Sequence, residues 1–175
     1  MKLIDKEFEI FIPEHLLVKR IKELGKEIDT MYKGMDPVFI AILNGAFMFA
    51  ADLIKEITGP CKLSFIKVAS YEGTVSSGKV NSLIGLEENL EGKNVVLIDD
   101  IVDTGITMSY VIEQVQAFKP ASLEVATLLL KPEAFNNQFQ IKFVGFTIPN
   151  DFVVGYGLDY NGYGRNLREI YHIKN

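Results

Sequence analysis

Asp99, Asp100 and Asp103 cluster in the stretch VVLIDDIVDTGIT (95–107), between an apolar run and a small, hydroxyl-bearing turn. The two halves of that stretch suit two kinds of chemistry. DTGIT (103–107) lies where a strand gives way to a helix. Unpaired backbone N–H groups and the positive end of the helix dipole there favour a bound phosphate. Gly105 lets the backbone come close or take φ > 0, and Thr104 and Thr107 add hydroxyl donors. Asp99 and Asp100 are neighbours on a strand, so their side chains point to opposite faces, and burying either without a partner is unfavourable. Mg2+ relieves such a pair, because it takes oxygen ligands and bridges carboxylates, water and phosphates. Sugar hydroxyls donate to the same oxygens. The pattern therefore places carboxylates at a sugar and a metal ion, with backbone amides beyond them at a phosphate.

Plainer readings exist for each part. A threonine-containing turn is a common helix N-cap, and Asp103 is a good capping residue in its own right. An acidic pair also marks the pocket of phospho-accepting receiver domains. There it ends the first strand, whereas here a long N-terminal region precedes it.

The elements that must hold these residues follow from periodicity. PEHLLVKRIKELGKEIDTMYKG (13–34) begins with a proline in the first helical turn. Leu17, Ile21, Leu24, Ile28 and Met31 then recur at helical spacing. PVFIAIL (37–43) reads as a buried strand, NGA (44–46) as a turn, and FMFAADLIKEITG (47–59) as a helix closed by Gly59. KLSFIKVAS (62–70) is a strand, and YEGTVSSGKVNS (71–82) a long polar loop of the kind that is often functional. VVLID (95–99) is a strand, ITMSYVIEQVQAF (106–118) a helix, and SLEVATLLL (122–130) a strand, with short strand candidates around IKFVGF (141–146) and FVVGYG (152–157). Strand, turn, helix and strand recur, which implies βαβ units and a mostly parallel sheet in an α/β fold. Ligands of such sheets sit beyond the carboxyl ends of the strands, which puts residues 44–46, 99–107 and Lys131 on one rim.

Composition limits the partners. A chain of 175 residues holds one domain with a substantial core and is short for two. Its net charge of -5 disfavours nucleic acid or an anionic membrane as the main partner. One cysteine, Cys61, excludes an internal disulfide and a cysteine-rich zinc site. The N-terminus has no apolar signal core and the longest apolar runs are strand-sized, so the expected location is cytoplasmic. His15 and His172 lie near opposite ends, so carboxylates rather than histidines should run any catalysis.

Taken together, four apolar residues, two acids, two apolar residues and DTGIT resemble the phosphoribosyl-pyrophosphate (PRPP) signature of the type I phosphoribosyltransferases. ILNGAFMFAADL (42–53), ASYEGTVSSG (69–78), LLLKPEA (128–134) and DFVVGYGLDYNGYGRNL (151–167) resemble the hypoxanthine/guanine branch of bacterial kind, in family order over about residues 36–168. The resemblance implies a twisted parallel sheet flanked by helices, with a small hood subdomain built from about residues 1–12 and 148–175 of a single domain. It implies Mg2+-dependent transfer of the phosphoribosyl group from PRPP to N9 of hypoxanthine or guanine, giving IMP or GMP and pyrophosphate.

Matched residue by residue, Asp103 is the general base. Asp99 and Asp100 meet the ribose and the metal, and Asp103, Thr104, Gly105, Ile106 and Thr107 form the 5′-phosphate loop. Asn44, Gly45 and Ala46 match the pyrophosphate loop, with a non-proline cis peptide between Leu43 and Asn44, and Arg165 matches a pyrophosphate contact. Lys131 reads the purine's exocyclic oxygen, Phe152 stacks on the base, and Val153 offers backbone contacts at its edge. Asp159, on the purine side, matches a further Mg2+ ligand, and Ser70 and Tyr71 begin a mobile lid. Without the resemblance Lys131 reads as a solvated strand end, Phe152 as core, and Asp159 and Arg165 as a surface ion pair.

The sequence departs from some relatives at Ile106, where they carry lysine, and at LNGA, where they carry LKGG. Gly162 and Gly164 flank Tyr163, which loosens the segment carrying Arg165, and the chain stops soon after it. Relatives are homodimers or homotetramers. Competing readings are a xanthine/guanine-preferring transferase and a non-catalytic, nucleic-acid-binding regulator on the same fold. The acidic balance and the absence of spare length for a DNA-binding domain count against the latter.

Overall fold

The computed structural model describes residues 1–70, 80–84 and 88–174, with residues 69–70 and 80–84 described by backbone alone. Strands β3 (Val38–Leu43), β4 (Lys62–Ser70), β5 (Val80–Ile84), β6 (Asn94–Val102), β7 (Ser122–Leu130) and β8 (Phe143–Thr147) form a sheet in the order β5-β4-β3-β6-β7-β8. All neighbours in it are parallel except β5, which runs antiparallel to β4 along one edge. Helices α1 (Glu14–Met31) and α2 (Phe47–Ile54) pack on one face and α3 (Ile106–Gln116) on the other. The sheet is thus buried on both sides, and its central strands split accordingly. Phe39, Ala41, Val96 and Ile98 face α1 and α2, while Val38, Ile40, Val95 and Leu97 face α3.

Helix α1 buries Leu17, Ile21, Leu24 and Ile28, the stripe its spacing predicts. Pro13 stands one residue earlier than expected, in the capping position, with its carbonyl accepting from the amides of Leu16 and Leu17. Helix α2 stops at Ile54, short of Gly59. The Glu56 and Ile57 amides turn back to the carbonyls of Leu53 and Ile54, and Asp29 of α1 then holds Thr58 through both its amide (2.9 Å) and its hydroxyl (2.8 Å). A tertiary cap ends the segment before the glycine does. Residues 80–82, read as loop, belong to β5, because the free edge of β4 offers them a ladder.

A second, four-stranded antiparallel sheet joins the two ends of the chain. Its order is β1 (Lys2–Leu3), β2 (Lys6–Ile12), β10 (Ile170–Ile173) and β9 (Val153–Val154). The sequence reading assigns no strand to residues 2–12 or 170–173, although charged and bulky residues alternate over 7–10. Phe8, Ile12, Val153, Val154 and Ile170 are nonetheless buried.

Arg20 of α1 covers the outer strand β8. Its Nε donates to the Gly145 carbonyl at 3.1 Å and Nη2 to that of Val144 at 2.8 Å, while Glu23 and Glu27 flank its exposed side. Arg20→Ala should therefore lower the free energy of unfolding by about 1–2 kcal/mol, as two backbone carbonyls lose a charged donor. Glu23→Ala should change it by less than about 0.5 kcal/mol, since an exposed ion pair contributes little. Urea unfolding of the two variants checks the contrast.

Candidate active site

Strand β6 runs past Asp99 to Val102 and carries the acidic pair at its carboxyl end. Asp99 is buried and turns to a cleft of about 240 Å³ that the 103–107 turn also lines. Asp100 turns the other way, against Gly45, where any Cβ would overlap its carboxylate. The alternation expected of strand neighbours thus splits the pair between two loops. Burial pushes the Asp99 carboxyl well above the usual carboxylate range, and the charge of Asp100 beside it pushes it further. Burial raises Asp100 as well, with Arg165 pulling the other way. The Asp100 amide donates to Asp99 Oδ1 at 3.1 Å, fixing the first carboxylate over the chain that carries the second.

Beyond the pair, Gly105 takes φ 85° and ψ 0°, a left-handed conformation that glycine adopts without steric penalty. It is also pressed against the rings of Phe135 and Phe139. Helix α3 starts at the next residue and receives no side-chain cap. Thr104 Oγ1 reaches only the Ile106 amide, at 3.5 Å. The first turn therefore presents open donors at the positive end of the helix, facing the cleft. Ile106 is exposed there.

Asp103 does not cap the helix. Its Oδ2 pairs with Lys131 Nζ at 3.0 Å. Lys131 follows β7, its amide donates to the Val102 carbonyl at 3.0 Å, and its side chain is only 10% exposed, against 47% for Asp103. A solvated strand end is thereby excluded for Lys131, since a buried ammonium needs a counter-charge. The pair stands as one donor and one acceptor, side by side at the rim.

The third loop, Asn44–Ala46, follows β3 and leads into α2, and the Leu43–Asn44 peptide bond is cis. Gly45 is wedged between Asp100 and Gly157, where an added Cβ at Gly157 would overlap the Gly45 carbonyl oxygen. Gly157 in turn accepts from Arg165 Nη1 at 2.6 Å, and Arg165 Nη2 pairs with Asp159 Oδ1 at 2.6 Å. Asp159 Oδ2 accepts from the Gly162 amide at 2.7 Å. Among the described residues, no three His, Cys, Asp or Glu side chains converge on a metal-sized space, so Asp159 stands apart from the Asp99–Asp100 pair.

Phe152 and Val153 lie where the small sheet meets this rim. Val153 is buried, whereas Phe152 is 44% exposed, which corrects the reading of its ring as core. The ring stands 5.7 Å from Tyr160, edge-on, and 6.5 Å from the buried Phe8. Of the two residues assigned to the lid, Ser70 ends β4 opposite Val80, and Tyr71 lies outside the described residues. Tyr156, whose hydroxyl donates to Asp52 of α2, is passed over by sequence reasoning. Its one signal is its place between Gly155 and Gly157, all three with positive φ.

The phosphoribosyl transferase domain family matches residues 12–161. The hypoxanthine-guanine phosphoribosyltransferase of Aquifex aeolicus is 40% identical over 171 residues, covering 97% of this chain and 96% of that protein. The chain spans 25% of the length of the bifunctional protein TilS/HprT of Listeria monocytogenes, to which it is 42% identical over 163 residues, 93% of this chain. The crystal structure of a hypoxanthine phosphoribosyltransferase from Staphylococcus aureus superposes with a TM-score of 0.89 at 41% identity, covering 95% of this chain and 91% of that one. The sheet, its helices and these likenesses agree: the chain belongs to the phosphoribosyl transferase domain family, in its hypoxanthine-guanine phosphoribosyltransferase branch.

Proposed function

We propose that this chain transfers the 5-phosphoribosyl group of PRPP to N9 of hypoxanthine or guanine, yielding IMP or GMP and pyrophosphate in purine salvage. The observation that carries the reading is the Lys131–Asp103 pair. A 6-oxopurine presents O6 and N7 as neighbours on one edge. Lys131 donates to O6, and Asp103 takes or shares the proton of N7. Phe152, exposed at the rim, supplies a ring face for the base, and the backbone at Val153 meets its edge. As N9 bonds to C1 of the ribose, the bond from C1 to the pyrophosphate oxygen breaks and its electrons leave with the pyrophosphate.

The remaining residues position the other partner. The amides of 104–107 cradle the 5′-phosphate, and Asp99 and Asp100 accept from the ribose hydroxyls. Asn44 and Gly45 offer backbone to the pyrophosphate, and Arg165 adds a charged fork. The residues also fit Mg2+. Asp99 and Asp100 are buried carboxylates that offer only oxygen, and burial disfavours their ionised forms unless a cation compensates. Magnesium commonly keeps waters and takes its other ligands from substrate phosphates, so one or two carboxylates suffice. Asp99 or Asp100 would hold it, and Asp159, which stands apart from them, would serve through bridging water. When bound, the ion would neutralise the pyrophosphate and so improve it as a leaving group.

An assay of IMP formation from hypoxanthine and PRPP tests the reading. Product should form only with Mg2+, and kcat/KM for adenine should be lower by about 10²-fold or more, because its 6-amino group leaves Lys131 unpaired. A preference for uracil, orotate or xanthine would overturn the substrate assignment. Asp103→Asn should lower kcat by about 10²–10⁴-fold with the KM for PRPP largely kept. Unchanged turnover would remove Asp103 from the proton transfer. Gly45→Ala drives a methyl group into the Asp100 carboxylate, so kcat/KM for PRPP should fall by about 10²-fold. Circular dichroism would confirm that the variant remains folded.

A further inference from the structure

Tyr156 is held in an unusual way. It takes φ 50°, between Gly155 at 105° and Gly157 at 102°, so three successive residues are left-handed and the middle one carries a Cβ. A tyrosine persists there only where its surroundings enforce it. Its ring is buried in the core cluster that α1 and α2 share with the sheet, and its hydroxyl donates to Asp52 Oδ2. Burial first, and then Asp52, keep that hydroxyl protonated far above the ordinary range. Its amide donates to the Leu167 carbonyl at 2.9 Å, and the next amide, of Gly157, donates to the Arg165 carbonyl at 3.0 Å. Asp52 lies on the helix that the 44–46 turn begins, and Gly157 packs against that same turn. The second Asp52 oxygen pairs with Lys55, an exposed residue.

We propose that the Tyr156–Asp52 hydrogen bond is a positioning contact that holds the Asp159–Arg165 loop against the 44–46 turn and thereby sets affinity for the pyrophosphate end of PRPP. The inference rests on the functional reading above for its substrate, and on the two-loop contact for its mechanism. Tyr156 touches no reactant, and its effect passes through Gly157 and Arg165. Of the groups set against the base, Lys131 follows β7 of the parallel sheet and Phe152 and Val153 belong to the small sheet, all before Tyr156 in the chain, so these contacts should be spared.

The test is steady-state kinetics on the full chain together with hydrogen exchange on the ligand-free protein. In Tyr156→Phe, which removes one oxygen, the KM for PRPP should rise about tenfold, the equivalent of one lost hydrogen bond to a charged group. The KM for hypoxanthine should stay within about twofold. Exchange at residues 156, 157 and 162 should quicken while β6 and β7 keep their protection. Asp52→Asn should act in the same direction, and the double variant should be no worse than the more affected single, as members of one contact are non-additive. Lys55→Ala should match the wild type.

Equal rises in both KM values with general loss of protection would mark Tyr156 as merely structural, and an unchanged KM for PRPP would also overturn the proposal. Failure of the wild-type chain to form IMP would sink the functional reading instead. Exchange at residues 156, 157 and 162 would then decide by itself whether Tyr156 fixes the loop.

Discussion

Two like charges side by side at the end of a central, doubly covered strand are the constraint around which this molecule is arranged. Asp99 and Asp100 lose hydration on folding and repel each other, and both effects weigh against the ionised pair. The fold leaves the pair in place and surrounds it with groups that suit negative ligands and cations. Gly45 gives up a side chain so that Asp100 has room. The charge of Arg165 favours the ionised form of Asp100, and an uncapped helix begins just past Asp103. An aliphatic pair would pack more easily there and could do none of this.

Topology explains why these groups meet at one place. After β3 the chain turns outward through α2 to β4, and after β6 it turns the opposite way through α3 to β7. The two helices lie on opposite faces of the sheet. Between β3 and β6 the winding therefore reverses, and the two connecting loops part instead of covering the strand ends. The gap they leave is where the 44–46 turn, the acidic pair and the 103–107 turn stand together. Lys131 comes from the next strand along and completes the rim.

Much of this was legible from the residues, and the failures have physical reasons. The strands over 62–70 and 122–130 and the apolar stripe of α1 follow from periodicity, because burial on known faces dictates them. At Gly105 the sequence pointed to close backbone approach or a positive φ, and the residue shows both, left-handed and pressed against Phe135 and Phe139. The stop at Ile54 was not legible, since the turns that follow it lead to Thr58, which Asp29 holds from a helix distant in sequence. Nor was the partner of Asp103. From the residues alone a cap was the better reading, and only the buried ammonium of Lys131 displaces it. The strands at the two chain ends escaped for a related reason, as β2 finds its partner β10 at the opposite end of the sequence.

That last pairing has a consequence during biosynthesis. Strand β10 lies between β2 and β9, so the small sheet that carries Val153 and borders Phe152 cannot close before residue 173 has cleared the ribosomal exit tunnel. The parallel sheet, complete by Thr147, does not wait for those residues. Translation thus delivers the phosphate-holding half of the molecule first. The wall beside the base is finished only when β2 and β10 find one another.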